Sequence, residues 1–179
     1  MSVRTPDPES GWLSDDELER MRRRVPMLYV EAIPVRLDAT GRLEQLGMLL
    51  RADGATGIMA RTFVSGRVQY GETVRSALLR HLEKDLGTVA FPQLPATLTP
   101  FTIAEYGPMP WDGLYDPRQH AVALVYIVPV QGDCNPRQDA LELTWLTAEE
   151  ALDPDLLDEL EGGRGAVLRS AIGHLGAWP

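Results

Sequence analysis

The chain holds a single cysteine, Cys134, so no disulfide can form within it and a disulfide-stapled fold is excluded. It also holds a single lysine, Lys84, among 17 basic residues. No apolar run approaches the roughly 20 residues that a membrane-spanning helix needs. Residues 1–11 are polar, contain Pro6 and Pro8, and lack the apolar stretch of a secretory leader. These absences lead to the expectation of a cytoplasmic protein that does not enter a membrane. Internal repeats and low-complexity segments are missing too, which sets aside solenoids and disordered tracts. Positive charge is the minority sign, 17 bases against 26 acids for a net −9, so an acidic surface repels nucleic acid at long range and no nucleic-acid partner is expected. The local exception is Arg20, Arg22, Arg23 and Arg24. This run reads as a solvated helix face, with a phosphate contact as the alternative.

Apolar residues make up 44% of the 179, enough for one core without staples. Residues 1–13 read as a flexible lead-in and 14–179 as one domain, with terminal helices as extensions. Ser14 followed by Glu17 is a capping box, predicting a short helix to about residue 24. Strands are predicted over 27–37, 45–51, 62–68, 101–106, 120–130 and 141–146, with Pro34 hinting at an edge or bulge. The run 120–130 is nearly all apolar, as in a strand buried on both faces. Val74, Leu78, Leu82 and Leu86 recur every four residues and end at Gly87, so a helix over 73–86 presents one apolar stripe. Further helices are predicted over 148–160 and 166–175. The strand–helix alternation implies an α/β fold, and the loop 107–119 is long enough to suggest a role.

Within this pattern Gly66 is followed after five residues by Glu72, and after seven more by Arg80, His81, Leu82, Glu83, Lys84, Asp85, Leu86, Gly87 and Thr88. This resembles the signature of the Nudix hydrolase superfamily in Gly66, Glu72, Arg80, Leu82 and Gly87, with Asp85 a conservative match. His81 and Lys84 stand where that signature has glutamates, and Thr88 where it has an aliphatic residue. Glu142 to Leu146 followed by Glu149-Glu150 resembles the closing strand and helix of the same superfamily. The whole is also similar to a bacterial Nudix-like family described only as a domain of unknown function. The resemblance implies a Nudix-type α/β/α sandwich with a mixed sheet. It further implies a divalent metal, Mg²⁺ or Mn²⁺, held by carboxylates that neutralise a diphosphate and help position a water.

The resemblance marks Glu72, Asp85 and His81 as catalytic and metal-ligand candidates. Arg67, Arg80, Lys84, Arg118, His120, Asp139 and Glu142 are candidates for holding a phosphate-containing ligand. On a helix His81 and Asp85 fall within ~40° of each other, bordering the apolar stripe. They read either as a residual metal or phosphate site or as a hydrogen-bonded pair. Glu83 lies roughly 140–200° away and is rejected as a ligand. An imidazole-plus-carboxylate set favours Zn²⁺ or Mn²⁺ over Mg²⁺. Lys84 replaces negative by positive charge, which opposes a divalent ion. Glu72 with Arg80 reads equally as a pair that shapes the loop. Arg118 and His120 read as a phosphate clamp and an acid–base group, or as loop anchors. Asp139 or Glu142 is a candidate late acid, with a solvated turn as the alternative. Tyr106, Trp111 and Tyr115 can stack a base or pack the loop.

Two functions follow from the resemblance. One is a hydrolase of a nucleoside-diphosphate-linked or other diphosphate compound, with standard Mg²⁺-dependent activity expected to be weak or absent. The other is a non-catalytic domain that binds a nucleotide or mediates an interaction. Either is compatible with a homodimer.

Overall fold

The computed structural model describes residues 13–52, 57–110, 113–136 and 140–177. In chain order the elements are α1 (Asp15–Arg22), β1 (Met27–Leu37), β2 (Leu43–Ala52), β3 (Met59–Thr62), β4 (Val64–Arg67), α2 (Val74–Leu86), β5 (Thr102–Tyr106), β6 (Ala121–Pro129), β7 (Ala140–Leu146), α3 (Ala148–Ala151), α4 (Pro154–Asp158) and α5 (Arg164–His174). A 3₁₀ turn over Glu161–Gly163 joins the last two.

The seven strands form one mixed sheet in the order β3-β2-β1-β6-β5, with β4 beside β1 and β7 beside β2. The central pair β1 and β6 is parallel, from Met27 opposite Ala121 to Val35 opposite Pro129. All other pairings between strands are antiparallel. Because side chains alternate along a strand, β1 feeds two cores. Val30 and Ala32 join Leu78, Leu82 and Leu86 of α2, whereas Ile33 and Val35 join Leu168, Ala171 and Ile172 of α5. The result is the expected α/β/α sandwich with a mixed sheet. Among the described residues no helix is long and apolar enough to cross a membrane.

α2 starts where the sequence says it should. The Thr73 hydroxyl accepts from the Ser76 N–H, and Gly87 closes the helix at φ +90°. The Ser14–Glu17 capping box is also present at α1.

Three expectations need correction. The single strand over 62–68 is two strands: Thr62 pairs with Leu49 of β2 and Val64 with Ala32 of β1, and the chain changes partner at buried Phe63. The helix over 148–160 is two short helices, because Pro154 cannot continue a helix and instead begins α4 with Asp153 as its cap. Pro34 is in the central strand and not at an edge. It falls where β1 passes from pairing with β4 (up to Ala32) to pairing with β2 (from Val35), so the N–H it lacks coincides with a break between two partners.

Candidate functional site

The loop from β4 to α2 is shaped by ionic hydrogen bonds. Arg80 Nε and Nη2 each donate to the Glu72 carboxylate at 2.8 Å, and Nη2 also reaches the Arg67 carbonyl at 3.1 Å. The Gln69 N–H donates to Glu72 as well, at 3.0 Å. The Arg80 hydrogen bond holds the Glu72 carboxyl below its ordinary pKa, so it stays ionised and committed to this pair. Arg67 contributes through its backbone carbonyl, which accepts from both Arg80 and His81.

His81 is buried under Gly66. A β-carbon at position 66 would lie 1.8 Å from His81 Cε1, so the ring occupies the space a side chain would need. His81 Nε2 donates to the Arg67 carbonyl at 3.1 Å, and buried Nδ1 has no hydrogen-bond partner among the described residues. Burial depresses the imidazole pKa, with only partial compensation from that backbone bond, so the ring is neutral at neutral pH.

One turn further along, Asp85 is fully buried. Its Oδ2 accepts from Arg51 Nη2, and Lys84 Nζ stands 3.2 Å from its Oδ1 as an ion pair. Arg51 arrives from β2, at the edge of the sheet region where β3 pairs. Glu83 points to solvent.

On the α5 side of the sheet lies a cavity of about 280 Å³, whose walls include Glu31, Arg51, Ser65, Asp116, Arg118 and Arg164; Arg51 is its link to Asp85, and no residue of α2 lines it. Glu31 is 1% exposed and fully occupied. Its Oε1 accepts from Ser65 Oγ at 3.2 Å and from Arg164 Nε at 3.0 Å, and its Oε2 accepts from Tyr106 Oη at 2.8 Å. The Arg164 guanidinium stacks 4.5 Å from the centre of the Tyr106 ring. Tyr106 is therefore core and not a loop aromatic free to stack a base; Tyr115 is exposed, and Trp111 lies outside the described residues. Burial next to Glu31 pushes the Tyr106 phenol well above its ordinary pKa.

Arg118 forms a two-pronged pair with Asp116 at 2.9 Å on each side, so it is anchored in its own loop while still lining the cavity. Burial raises the Asp116 pKa, but the hydrogen bonds from Arg118 outweigh it and keep the carboxyl ionised. Buried Gln119 ties this loop to the sheet, donating to Asp116 at 2.8 Å and to Tyr29 Oη at 3.0 Å, while Arg22 Nε reaches its carbonyl at 3.2 Å. His120 lies in an adjoining groove with Arg22, Arg23, Arg24 and Arg118. Glu142 is exposed on β7, accepts from Thr144 Oγ1 at 2.8 Å, and does not line the cavity. Asp139 lies outside the described residues.

The set Glu72, His81 and Asp85 is not drawn together as metal ligands. Among the described residues no three His, Cys, Asp or Glu side chains are placed to share an ion. The physical reason is visible in the partners: Glu72 is taken by Arg80, and Asp85 by Arg51 and Lys84. Such a donor set does not fit the Mg²⁺ centre that the motif implies, since Mg²⁺ takes several free oxygens in near-octahedral array.

Sequence reasoning missed Glu31, Arg51, Asp116 and Arg164. Glu31 carried a signal, being a lone carboxylate between Val30 and Ala32 in an apolar strand, which requires a buried partner. Arg51 carried none, because its partner is 34 positions away.

With this geometry in view, the fold is that of the Nudix proteins. A crystal structure from Jonesia denitrificans, described as a possible asymmetric diadenosine tetraphosphate hydrolase, shares 54% identity over 87% of this chain and 98% of that one, with a TM-score of 0.83. The Nudix domain of Shewanella oneidensis NrtR, solved with ADP-ribose, matches at 14% identity over 85% of this chain and 90% of that one, TM-score 0.59. A bifunctional NMN adenylyltransferase/ADP-ribose pyrophosphatase from Francisella tularensis, solved with AMP and a manganese ion, matches at 12% over 90% of this chain and 48% of that one, TM-score 0.59. No curated protein matches. The chain belongs to the family described as a domain of unknown function (DUF4916), whose model spans residues 8–177.

Proposed function

We propose that this chain binds a nucleotide-type diphosphate compound in the cavity lined by Arg51, Arg118 and Arg164, and that its hydrolysis of such a compound with Mg²⁺ is slow or absent. The observation that carries this reading is Arg51, which lines the cavity and is at the same time paired with Asp85 on the helix. A guanidinium matches the geometry of phosphate oxygens, so a diphosphate in this cavity meets a cation already fixed in place. Support comes from the relatives solved with ADP-ribose and with AMP, whose shared fold makes the same class of ligand a reasonable first choice. The expectation of slow turnover rests on His81 and Lys84, which add no negative charge for metal ions, and on the engaged state of Glu72 and Asp85. Charge stabilisation of the transition state is commonly worth a factor of ~10²–10³ per contributing group.

A thermal-shift and calorimetric screen with ADP-ribose, ADP, AMP and diadenosine tetraphosphate tests the binding claim. At least one should raise the melting temperature with a saturable isotherm, and no response to any of them sinks it. Product release with Mg²⁺ should run about 100-fold or more below that of a Nudix enzyme with an intact carboxylate set. Turnover at the ordinary enzyme level would reject slow hydrolysis while leaving binding in place.

A second reading, action on a dinucleoside polyphosphate, is favoured by one feature: the adjoining arginine groove shares Arg118 and Gln119 with the cavity. That would offer a longer polyanion a second group of arginines, and the Jonesia denitrificans relative is described as a possible diadenosine tetraphosphate hydrolase. Diadenosine tetraphosphate binding more tightly than ADP-ribose would favour it.

A further inference from the structure

We infer that the groove between the end of α1 and the loop 107–120 is a second binding site, one that holds a phosphomonoester dianion. It stands apart from the cavity reading, because the groove can take its anion whether or not a nucleotide occupies the cavity.

The groove encloses about 570 Å³, within the ~300–1,000 Å³ typical of small-molecule sites. Its walls carry Arg22, Arg23, Arg24 and Arg118 against a single acid, Glu19. In a chain of net −9 this gathering runs against the overall charge and gives an anion one place to go. Basic residues late in a helix complement its dipole, which accounts for Arg20 and Arg22. The dipole does not account for Arg118, which the fold brings to the same groove from a distant loop.

The charges divide into committed and uncommitted ones. Glu19 accepts from Arg23 Nε at 3.0 Å and Nη2 at 2.8 Å, and Asp116 clasps Arg118 at 2.9 Å on each side. Arg22 is different. Its Nε donates to the neutral Gln119 carbonyl at 3.2 Å, while its Nη1 stands 3.9 Å from a Glu19 carboxylate that already faces Arg23. Arg24 makes no side-chain hydrogen bond or ion pair among the described residues. Two guanidinium groups are thus left with their charge uncompensated. A phosphomonoester carries about −1.5 to −2 at neutral pH, which matches that pair, and the guanidinium fork suits its oxygens.

The site is also partly built in advance. Gln119 is buried and tied to Tyr29 and Asp116, so its carbonyl holds Arg22 at the groove. Pro26, Pro108 and Pro117 line the same walls, and their fixed φ limits the freedom of the backbone there.

Titration of the full chain with inorganic phosphate, followed by calorimetry and by the arginine Nε–Hε signals in NMR, tests the inference. The Arg22 and Arg24 signals should move together along one saturable curve. Arg24→Gln, at an exposed position with no side-chain partner, should weaken phosphate binding about fivefold or more, and Arg24→Lys should keep most of the affinity. Ala60→Leu, which narrows the cavity from β3 and leaves the groove alone, should stay within about twofold of wild type once a melting curve shows that it is folded. Phosphate affinity untouched by Arg24→Gln, affinity lost in folded Ala60→Leu, or shifts that never saturate would each overturn the inference. AMP then separates the two sources of such a group. Binding weakened by Arg24→Gln alone marks a phosphorylated ligand confined to the groove; binding weakened by both variants marks the phosphate of a nucleotide that reaches the cavity as well, and the groove holds the phosphate in either case.

Discussion

Gly66 and His81 make one joint out of two residues that the chain separates by a strand end, a loop and most of two helical turns. The ring of His81 fills the volume above the glycine, and a β-carbon there would come within 1.8 Å of it. Gly66→Ala should therefore cost about 1–3 kcal/mol, as overpacking of a close contact usually does. Replacing the ring removes the clash, so the same Gly66→Ala change in a His81→Ala background should cost less than half as much. Urea denaturation of the four proteins measures the coupling. Equal costs in both backgrounds would mean that the ring swings aside freely and that Gly66 is needed for some other reason.

At the level of elements, the two ends of the chain follow capping rules closely, while the break in the closing helical segment follows from one dipeptide. Asp153 accepts from the N–H groups of Asp155 at 3.0 Å and Leu156 at 3.3 Å, and Pro154 occupies the first turn, where no N–H is needed. That start turns α4 so that Leu157 packs into the α5 side of the core. Asp153→Ala should lower stability by about 1 kcal/mol, or roughly 2–4 °C in melting temperature for a domain of this size. Asp153→Asn, which can still accept those bonds, should lose much less. A thermal melt of both variants decides it, and no difference between them would remove the cap from the account. The stripe of α2 is the converse case: Leu78, Leu82 and Leu86 are fully buried as the four-residue repeat requires, and the helix ends at the glycine that the pattern marks.

Across the whole molecule, the Glu31–Arg164 pair joins the central strand to the first turn of α5 over a separation of 133 positions. Glu31 is 1% exposed, and its bonds to Arg164, Tyr106 and Ser65 tie the α5 layer to the sheet beneath the cavity. Breaking such a pair from one side strands a buried charge. Arg164→Met should therefore destabilise the fold by about 3–5 kcal/mol. The double change Glu31→Gln with Arg164→Met removes both charges and should cost less than Arg164→Met alone. Denaturant midpoints for the single and double variants test this; a double variant worse than the single would mean that the acid is satisfied without its arginine.

The sequence by itself determined the elements that depend on neighbours close in the chain. Repeats of 3.6 and 2 residues, caps and glycine stops placed α1, α2, most of β1 and β6, and the spacing from Gly66 to Gly87 carries the Nudix resemblance. It also located Asp85 on the inward side of α2, because helical geometry sets that angle within a few residues. Tertiary structure decided the partners. Whether Asp85 meets a metal ion, a water or a cation depends on Arg51, which comes from a strand 34 positions earlier, and no local pattern encodes that meeting. The same holds for the division of 62–68, where Thr62 pairs with β2 and residues 64–67 pair with β1. A buried charge must be paired, but the sequence states only that need; the choice of partner is made by the packing of layers that bring distant residues into one low-dielectric place.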